Sequence, residues 1–490
     1  MTPHALRSTH AMKPRLALLS AALLLAGCAV GPDYRRPDAP VPAQFREADG
    51  WKLAATDVAA TTAATTTADA RTGHAWWKHF ADPQLDSLVE QVELSNQNIR
   101  VAEARYRQAT AVLDAAQAAL LPTLNATAGV TRSQGVSTTT TGGTTANVGA
   151  PIRNTSRLSL TASWEPDLWG RIARSGEAAG ASAAAVGADL QAARLSAQAA
   201  VTQAYLQLRI NDAQHALLER TVAAYTRSAE ITRNRFDAGV AARADVTQAQ
   251  AQLKTAQAQL IDLGIQRRQL EHAIAVLTGR PPADLALAPA STLPALPAVP
   301  GLLPSTLLER RPDIAAAERR VAAANAQIGV AQAAFFPTLT LGATAGTQAG
   351  ALARVLSLPN QFWSLGPNLA LSVFDAGARS ARKAQAIAAW DETVAAYRQT
   401  VLTAFQEVED NLAALRTLEA EAQAQAEALA AATETLALVN NQYLAGTVSY
   451  LNVTNAQTVA LNAERARLDI LIRRLTGSVA LFKTIGGSPS

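Results

Sequence analysis

The chain of 490 residues contains one cysteine, Cys28, so no intramolecular disulfide can form. Histidine is scarce, and His74, His79, His215 and His272 show no metal-ligand spacing. The sequence has no HExxH helix, no phosphate-binding glycine loop and no nucleophile elbow. Aromatic residues amount to 5%, too few for a thick aromatic core. The apolar run Leu16–Ala26 is too short to span a bilayer, and the uncharged stretch Ala286–Leu308 is broken by Pro289, Pro294, Pro297, Pro300 and Pro304. Excess charge is also missing. The formal net charge is +4, and Arg7, Lys13 and Arg15 precede Cys28, which leaves 4 − 3 = +1 beyond it. No enzyme site, cofactor, metal or nucleic-acid partner is therefore expected.

What is present is alternation followed by very long helical runs. Leu158, Leu160, Ala162 and Trp164 alternate with Ser159, Thr161, Ser163 and Glu165, which predicts a strand with one apolar face. Proline is then absent from Arg171 to Asp237, a stretch rich in alanine, leucine, glutamine and arginine. As one helix it would be about 100 Å long. Leu124, Ala126, Ala128 and Val130 predict another amphipathic strand, joined to the first through a Thr/Gly-rich loop, Ser133–Asn154. Asp82 and Pro83 suit a helix start, and Gly239 suits a helix stop. Beyond it, Val246, Ala249, Leu253, Ala256, Leu260 and Leu263 follow coiled-coil spacing.

The second half repeats the first. Ile99–Leu124 matches Ile314–Leu339 at an offset of 314 − 99 = 215, and Gly239 matches Gly446 at 446 − 239 = 207. The chain is read as a leader over 1–27, an extended tether over 28–75, a first repeat over 76–280, a Pro-rich linker over 281–308 and a second repeat over 309–486. Strands are expected near 123–132, 157–165, 338–346 and 368–375, and long helices near 171–238, 244–278, 379–444 and 450–477. The strands have the length and dyad pattern of a transmembrane β-barrel. Four cannot close a barrel, and an open edge is not tolerated in lipid, so several chains must contribute; three would supply about twelve strands.

The leader ends in Leu25-Ala26-Gly27-Cys28, which resembles a lipobox with Cys28 as the lipidated residue; Ala29 after it resembles outer-membrane sorting. This motif is joined by Trp76-Trp77, Phe80, Asp82-Pro83 and Leu85, by Asp167-Leu168-Trp169-Gly170-Arg171, and by Arg311-Pro312-Asp313-Ile314. Phe374-Asp375-Ala376-Gly377 and Tyr443 with Gly446-Thr447-Val448-Ser449-Tyr450-Leu451 complete the set. In this order, with the duplication, the chain resembles the TolC-type outer-membrane efflux family, and within it the NodT-like lipoprotein branch.

That resemblance implies a mainly α fold with membrane β: a homotrimer whose twelve-stranded barrel in the outer-membrane lipid continues into an α-helical coiled-coil periplasmic tunnel. It implies the exit duct of a tripartite efflux pump, working with a periplasmic membrane-fusion adaptor and an inner-membrane transporter, the proton-driven RND type being favoured. It further implies that the tips Gly239, Val240, Gly446, Thr447, Val448 and Ser449 meet the adaptor. The constriction falls on Leu451, Asn452 and Asn455, with Asp245 at the matching position of the first repeat. Several family members carry aspartate where this chain has Asn452 and Asn455. The residues leave open a metal-ion or polypeptide export channel, and a structural or adhesive coiled-coil lipoprotein.

Overall fold

The computed structural model describes residues 30–42, 44–48, 75–141, 144–149, 152–290, 292–298 and 310–487. Cys28 and His74 lie outside them. The helices are α1 (Pro83–Ser95), α2 (Gln97–Ala118), α3 (Arg171–Asp237), α4 (Arg243–Leu277), α5 (Pro312–Ala333), α6 (Ala378–Leu444) and α7 (Tyr450–Thr484). The strands are β1 (Thr123–Ser133), β2 (Val136–Thr141), β3 (Thr144–Gly149), β4 (Arg153–Trp164), β5 (Thr338–Ala349) and β6 (Gln361–Ala370).

The duplication is legible in these bounds. Helices α3 and α6 have 67 residues each and are offset by 378 − 171 = 207; α4 and α7 have 35 each, offset by 450 − 243 = 207. Helices α2 and α5 have 22 each, offset by 312 − 97 = 215. The eight-residue difference, 215 − 207, falls in the shorter β5–β6 connection.

The chain divides into two units. One comprises 1–37, 107–185 and 318–396. Within it lies an antiparallel sheet in the order β1-β4-β5-β6, with Thr123 opposite Ser163, Trp164 opposite Leu341 and Thr338 opposite Ala370. Opposed residues share a face. Leu124, Leu160, Ala345 and Trp363 therefore fall on one face, and Asn125, Thr161, Thr344 and Ser364 on the other. The apolar row is exposed in the single chain, with Leu124 at 69% and Trp363 at 80%. At the helix end of the sheet, Trp169 stacks on Phe336 at 4.8 Å and donates to the Pro337 carbonyl at 2.7 Å. Trp164 donates to the Leu120 carbonyl at 2.9 Å.

The last helix was expected to end near 477, but Gly477 keeps helical backbone and α7 runs on to Thr484. Three further expectations are corrected. The fourth strand was expected near 368–375, but β6 runs from Gln361 to Ala370. Its partner β5 begins at Thr338, directly after Pro337, so the ladder stops at Ala370 and the alternating Leu371 and Val373 find no strand to pair with. Pro367 and Gly366 mask this strand in the sequence, since both residues are uncommon inside strands. Second, the expected loop Ser133–Asn154 contains the paired strands β2 and β3, with Thr141 opposite Thr144. Its threonines are β-branched and favour extended backbone. Third, the expected tether is packed over its described part. In the first unit, the Val30 N–H donates to the Trp169 carbonyl at 3.1 Å, Asn325 donates to the Pro32 carbonyl at 2.9 Å, and Arg174 pairs with Asp33 at 2.8 Å. Gly31 takes a φ of +114°, and a Cβ there would come within 2.5 Å of the Gly329 Cα, so two glycines allow two backbones to touch. Extended composition concealed this because the holding groups lie on distant helices.

The second unit comprises 38–106, 186–317 and 397–490. There Phe45 packs on Phe405 at 6.1 Å, and Arg416 bonds Glu47 at 3.1 Å. A short helical turn, Trp76–Phe80, buries Trp76 against Phe482 at 5.7 Å, and His79 stacks on Phe482 at 5.3 Å. Asp82 then caps α1, accepting from the Gln84 and Leu85 N–H groups at 2.9 and 3.3 Å. The linker is pinned at its start: Arg209 donates to the Ala288 carbonyl and Arg267 to the Leu287 carbonyl, while buried Asp212 bonds Arg267 at 2.8 Å.

Arg311 ties three elements together. It bonds Asp313 at 2.6 Å, Glu407 of α6 at 2.8 Å and the Thr484 carbonyl of α7 at 3.1 Å. Burial alone would raise the Asp313 carboxyl, but the bonds to Arg311 and the helix-start N–H outweigh it and hold it below its ordinary range. An Arg311→Met variant should lose about 2 kcal/mol of stability in denaturation of the purified protein in detergent. The contribution of the depressed carboxylate is present above its unfolded value of about 3.9 and fades as pH falls through the lower folded value. The gap between wild type and variant should therefore narrow below about pH 4, and a gap independent of pH would contradict this account.

Candidate functional site

The ends of the long helices turn tightly in both repeats. After α3, the Gly239 N–H donates to the Phe236 carbonyl at 2.9 Å and the Val240 N–H to the Arg235 carbonyl at 2.9 Å. After α6, the Gly446 N–H donates to Tyr443 and the Thr447 N–H to Gln442, both at 3.0 Å. These are Schellman turns, whose C′ residue must be left-handed. Gly239 and Gly446 supply φ values of +77° and +79°. Thr447 also donates its hydroxyl to the Gln442 carbonyl at 3.0 Å.

Each turn feeds the next helix. The Asp245 carboxylate reaches back to the Ala242 N–H at 3.3 Å, satisfying a free donor at the start of α4. Asn452 holds the matching position of α7, since 452 − 245 = 207, and its N–H donates to the Ser449 carbonyl at 3.1 Å. Leu451 is 57% exposed, and Asn452 and Asn455 are exposed beside it. Val240 is exposed, whereas Val448 is half-buried against the tip core.

The opposite side of α7 is buried. Tyr443, Tyr450, Val453 and Ala249 form a small core, with the tyrosine rings edge to face at 5.5 Å. Arg235 lies over the Tyr443 ring at 4.6 Å and donates to the Tyr443 carbonyl at 2.7 Å. The Tyr443 hydroxyl meets the Thr232 hydroxyl at 3.2 Å, and Gln457 donates to the Ser228 hydroxyl at 3.0 Å. A cavity of about 360 Å³ adjoins this core, lined by Leu217, Tyr225, Ser228, Tyr443, Tyr450 and Gln457. The sequence reading named the turn residues but missed this latch of α3 on α6 and α7. The available signal was the pair of tyrosines flanking the turn. No chemistry beyond packing and hydrogen bonding is assembled by these residues.

Residues 88–280 and 303–487 match the family described as outer membrane efflux protein. The chain belongs to the outer membrane efflux protein family. It is 32% identical to the toluene efflux pump outer membrane protein TtgC of Pseudomonas putida, over 97% of this chain and 96% of that one. It is also 32% identical to the pyoverdine export outer membrane protein OpmQ of Pseudomonas aeruginosa, over 96% of each chain. Among solved structures, the outer-membrane channel OprN superposes with a TM-score of 0.84 at 32% identity, covering 94% of this chain and 99% of that one. CusC superposes at 0.80 with 25% identity, over 94% and 100%. This efflux protein thus has the fold of outer-membrane channels, mainly helical with one four-stranded antiparallel sheet among the described residues, and acts as the outer-membrane component of efflux.

Burial pushes the Tyr450 hydroxyl up to about 12. A raised folded value means that its contribution to stability is full below the unfolded value of about 10 and is lost as pH rises through the folded one. A Tyr450→Phe variant should therefore be less sensitive to alkali between about pH 10 and 12 than wild type, as measured by circular dichroism. Equal alkaline transitions would mean that Tyr450 is not buried in solution. At the turn, Gly446→Val places a β-branched residue in left-handed backbone and should destabilise the tip by about 1–2 kcal/mol. Faster limited proteolysis near residue 446 would reveal it; an unchanged cleavage rate would remove the argument for the glycine.

Proposed function

We propose that three copies of this efflux protein close one twelve-stranded barrel in the outer membrane. The observation that carries this is the sheet itself: β1 and β6 are its two edges, and each leaves a row of backbone donors and acceptors unpaired. In hydrocarbon such groups must be satisfied, so β6 of one copy pairs with β1 of the next. The exposed apolar row of Leu124, Leu160 and Trp363 then faces lipid, and the polar row faces the duct. Acyl chains on Cys28 add an anchor.

The duct is passive and takes its energy from partners. The tips Gly239, Val240, Gly446, Thr447, Val448 and Ser449 dock a periplasmic adaptor, which joins it to an inner-membrane transporter of the proton-driven RND type. The exposed stripe Leu451, Asn452 and Asn455, with Asp245 nearby in the first repeat, forms the periplasmic constriction from three copies. The cargo is small toxic molecules. Relatives named for toluene efflux and pyoverdine export support that class.

Cys28 is the only cysteine, and its thiol would be blocked by lipid. A Ser449→Cys variant therefore offers one free thiol at the tip for crosslinking in intact cells. Mass spectrometry should identify a periplasmic adaptor encoded with a proton-driven pump. Capture of an adaptor from an ATP-driven exporter would redirect the cargo assignment, and repeated failure to capture any adaptor would sink the tripartite reading.

A further inference from the structure

The membrane sheet and its outer connections carry charge of one sign. Residues 115–164 and 321–374 contain no aspartate, glutamate or lysine, and four arginines: Arg132, Arg153, Arg157 and Arg354. All four lie toward the end of the sheet away from the helices. Arg132 opposes Asn154 and Arg153 opposes Ser133 in the final pairs of the β1–β4 ladder, whose other end pairs Thr123 with Ser163. Arg157 opposes Gly129 on one side and Gln348 on the other. Arg354 lies in the connection between β5 and β6.

Pairing assigns the faces. Arg132 shares the row of Leu124, Ala126, Ala128 and Val130, the apolar row. Arg153 and Arg157 share the opposite row with Thr155, Ser159, Thr161 and Ser163, which is otherwise uncharged. Both are exposed. The Arg157 guanidinium rests over the Phe362 ring at 4.8 Å, a contact that holds the charge in place without neutralising it. Guanidinium stays protonated throughout the physiological range. The polar row of this sheet is therefore cationic at its outer end and has no fixed anion along its length.

We propose that Arg153 and Arg157 make the outer mouth of the duct anion-favouring, so that it passes anionic and neutral solutes in preference to cations. This rests on the three-copy barrel reading, in which the two arginines supply 2 × 3 = 6 positive charges around one opening. Rings of like charge set the field in a pore. That field reaches about 10 Å at 0.1 M salt and about 3 Å at 1 M, so the preference must weaken as salt is raised. The substrate class follows: acids, phenolates and uncharged apolar compounds leave readily, whereas organic dications meet a barrier at the exit.

The test uses the purified full-length protein in planar bilayers across a KCl gradient, with the dilute side at about 0.1 M or below. The chloride-to-potassium permeability ratio is read from the reversal potential. The wild-type ratio should exceed one and fall at least about twofold in the Arg153→Gln/Arg157→Gln double variant. Arg153→Lys/Arg157→Lys, which keeps the charge and loses the planar stack, should retain it. A wild-type ratio at or below one, or a glutamine variant indistinguishable from wild type, overturns the inference while the duct stands. A wild-type protein that forms trimers but never conducts would overturn the duct reading, and this one with it.

Discussion

A backbone N–H or C=O left without a partner in hydrocarbon costs several kcal/mol, and a strand edge presents a whole row of them. Each copy of this efflux protein has two such edges, β1 and β6, flanking a sheet whose interior pairs are complete. The proposed assembly follows from that constraint more than from any side chain. The side chains then sort the two faces. Leucine, valine and tryptophan occupy one register row, while threonine, serine and asparagine occupy the other. A one-residue slip would exchange the rows, so register and membrane orientation are one property.

Duplication solves a second matching problem, at the helix turns. Two 67-residue helices, each followed by a glycine turn and a 35-residue return, end in turns of the same hydrogen-bond pattern. Yet the two tips are not chemically equivalent. Asp245 caps the first return helix through the Ala242 N–H, whereas Asn452 stands at the same place in the second. Arg235 of the first repeat grips Tyr443 of the second. Equal backbones with different side chains let one repeat hold the other, which a perfectly repeated sequence would not encode.

Much of the fold was legible because its signals are local. Proline-free stretches, period-2 alternation and glycine stops need only a few neighbouring residues to be read. The fourth strand was misplaced because Pro367 and Gly366 interrupt its pattern, while the unpaired Leu371 and Val373 imitate one. The strap around Gly31 was invisible for a different reason. Its partners, Trp169, Arg174, Asn325 and Gly329, are more than a hundred residues away, and no local pattern announces them.

From residue order alone come the approximate lengths of α3, α4 and α6, the repeat, the glycine turns and the family itself, since each depends on periodicity or on short ordered motifs. Tertiary structure alone decided which strand ends at Ala370, that Arg311 joins α6 to α7, and that Arg235 and Thr232 clasp Tyr443. It also put Arg153 and Arg157 on the polar row and Arg132 on the apolar one. The reason is physical: a ladder's register and a side chain's partner are set by backbone pairing and packing between distant segments, and neither leaves a periodic trace in the sequence.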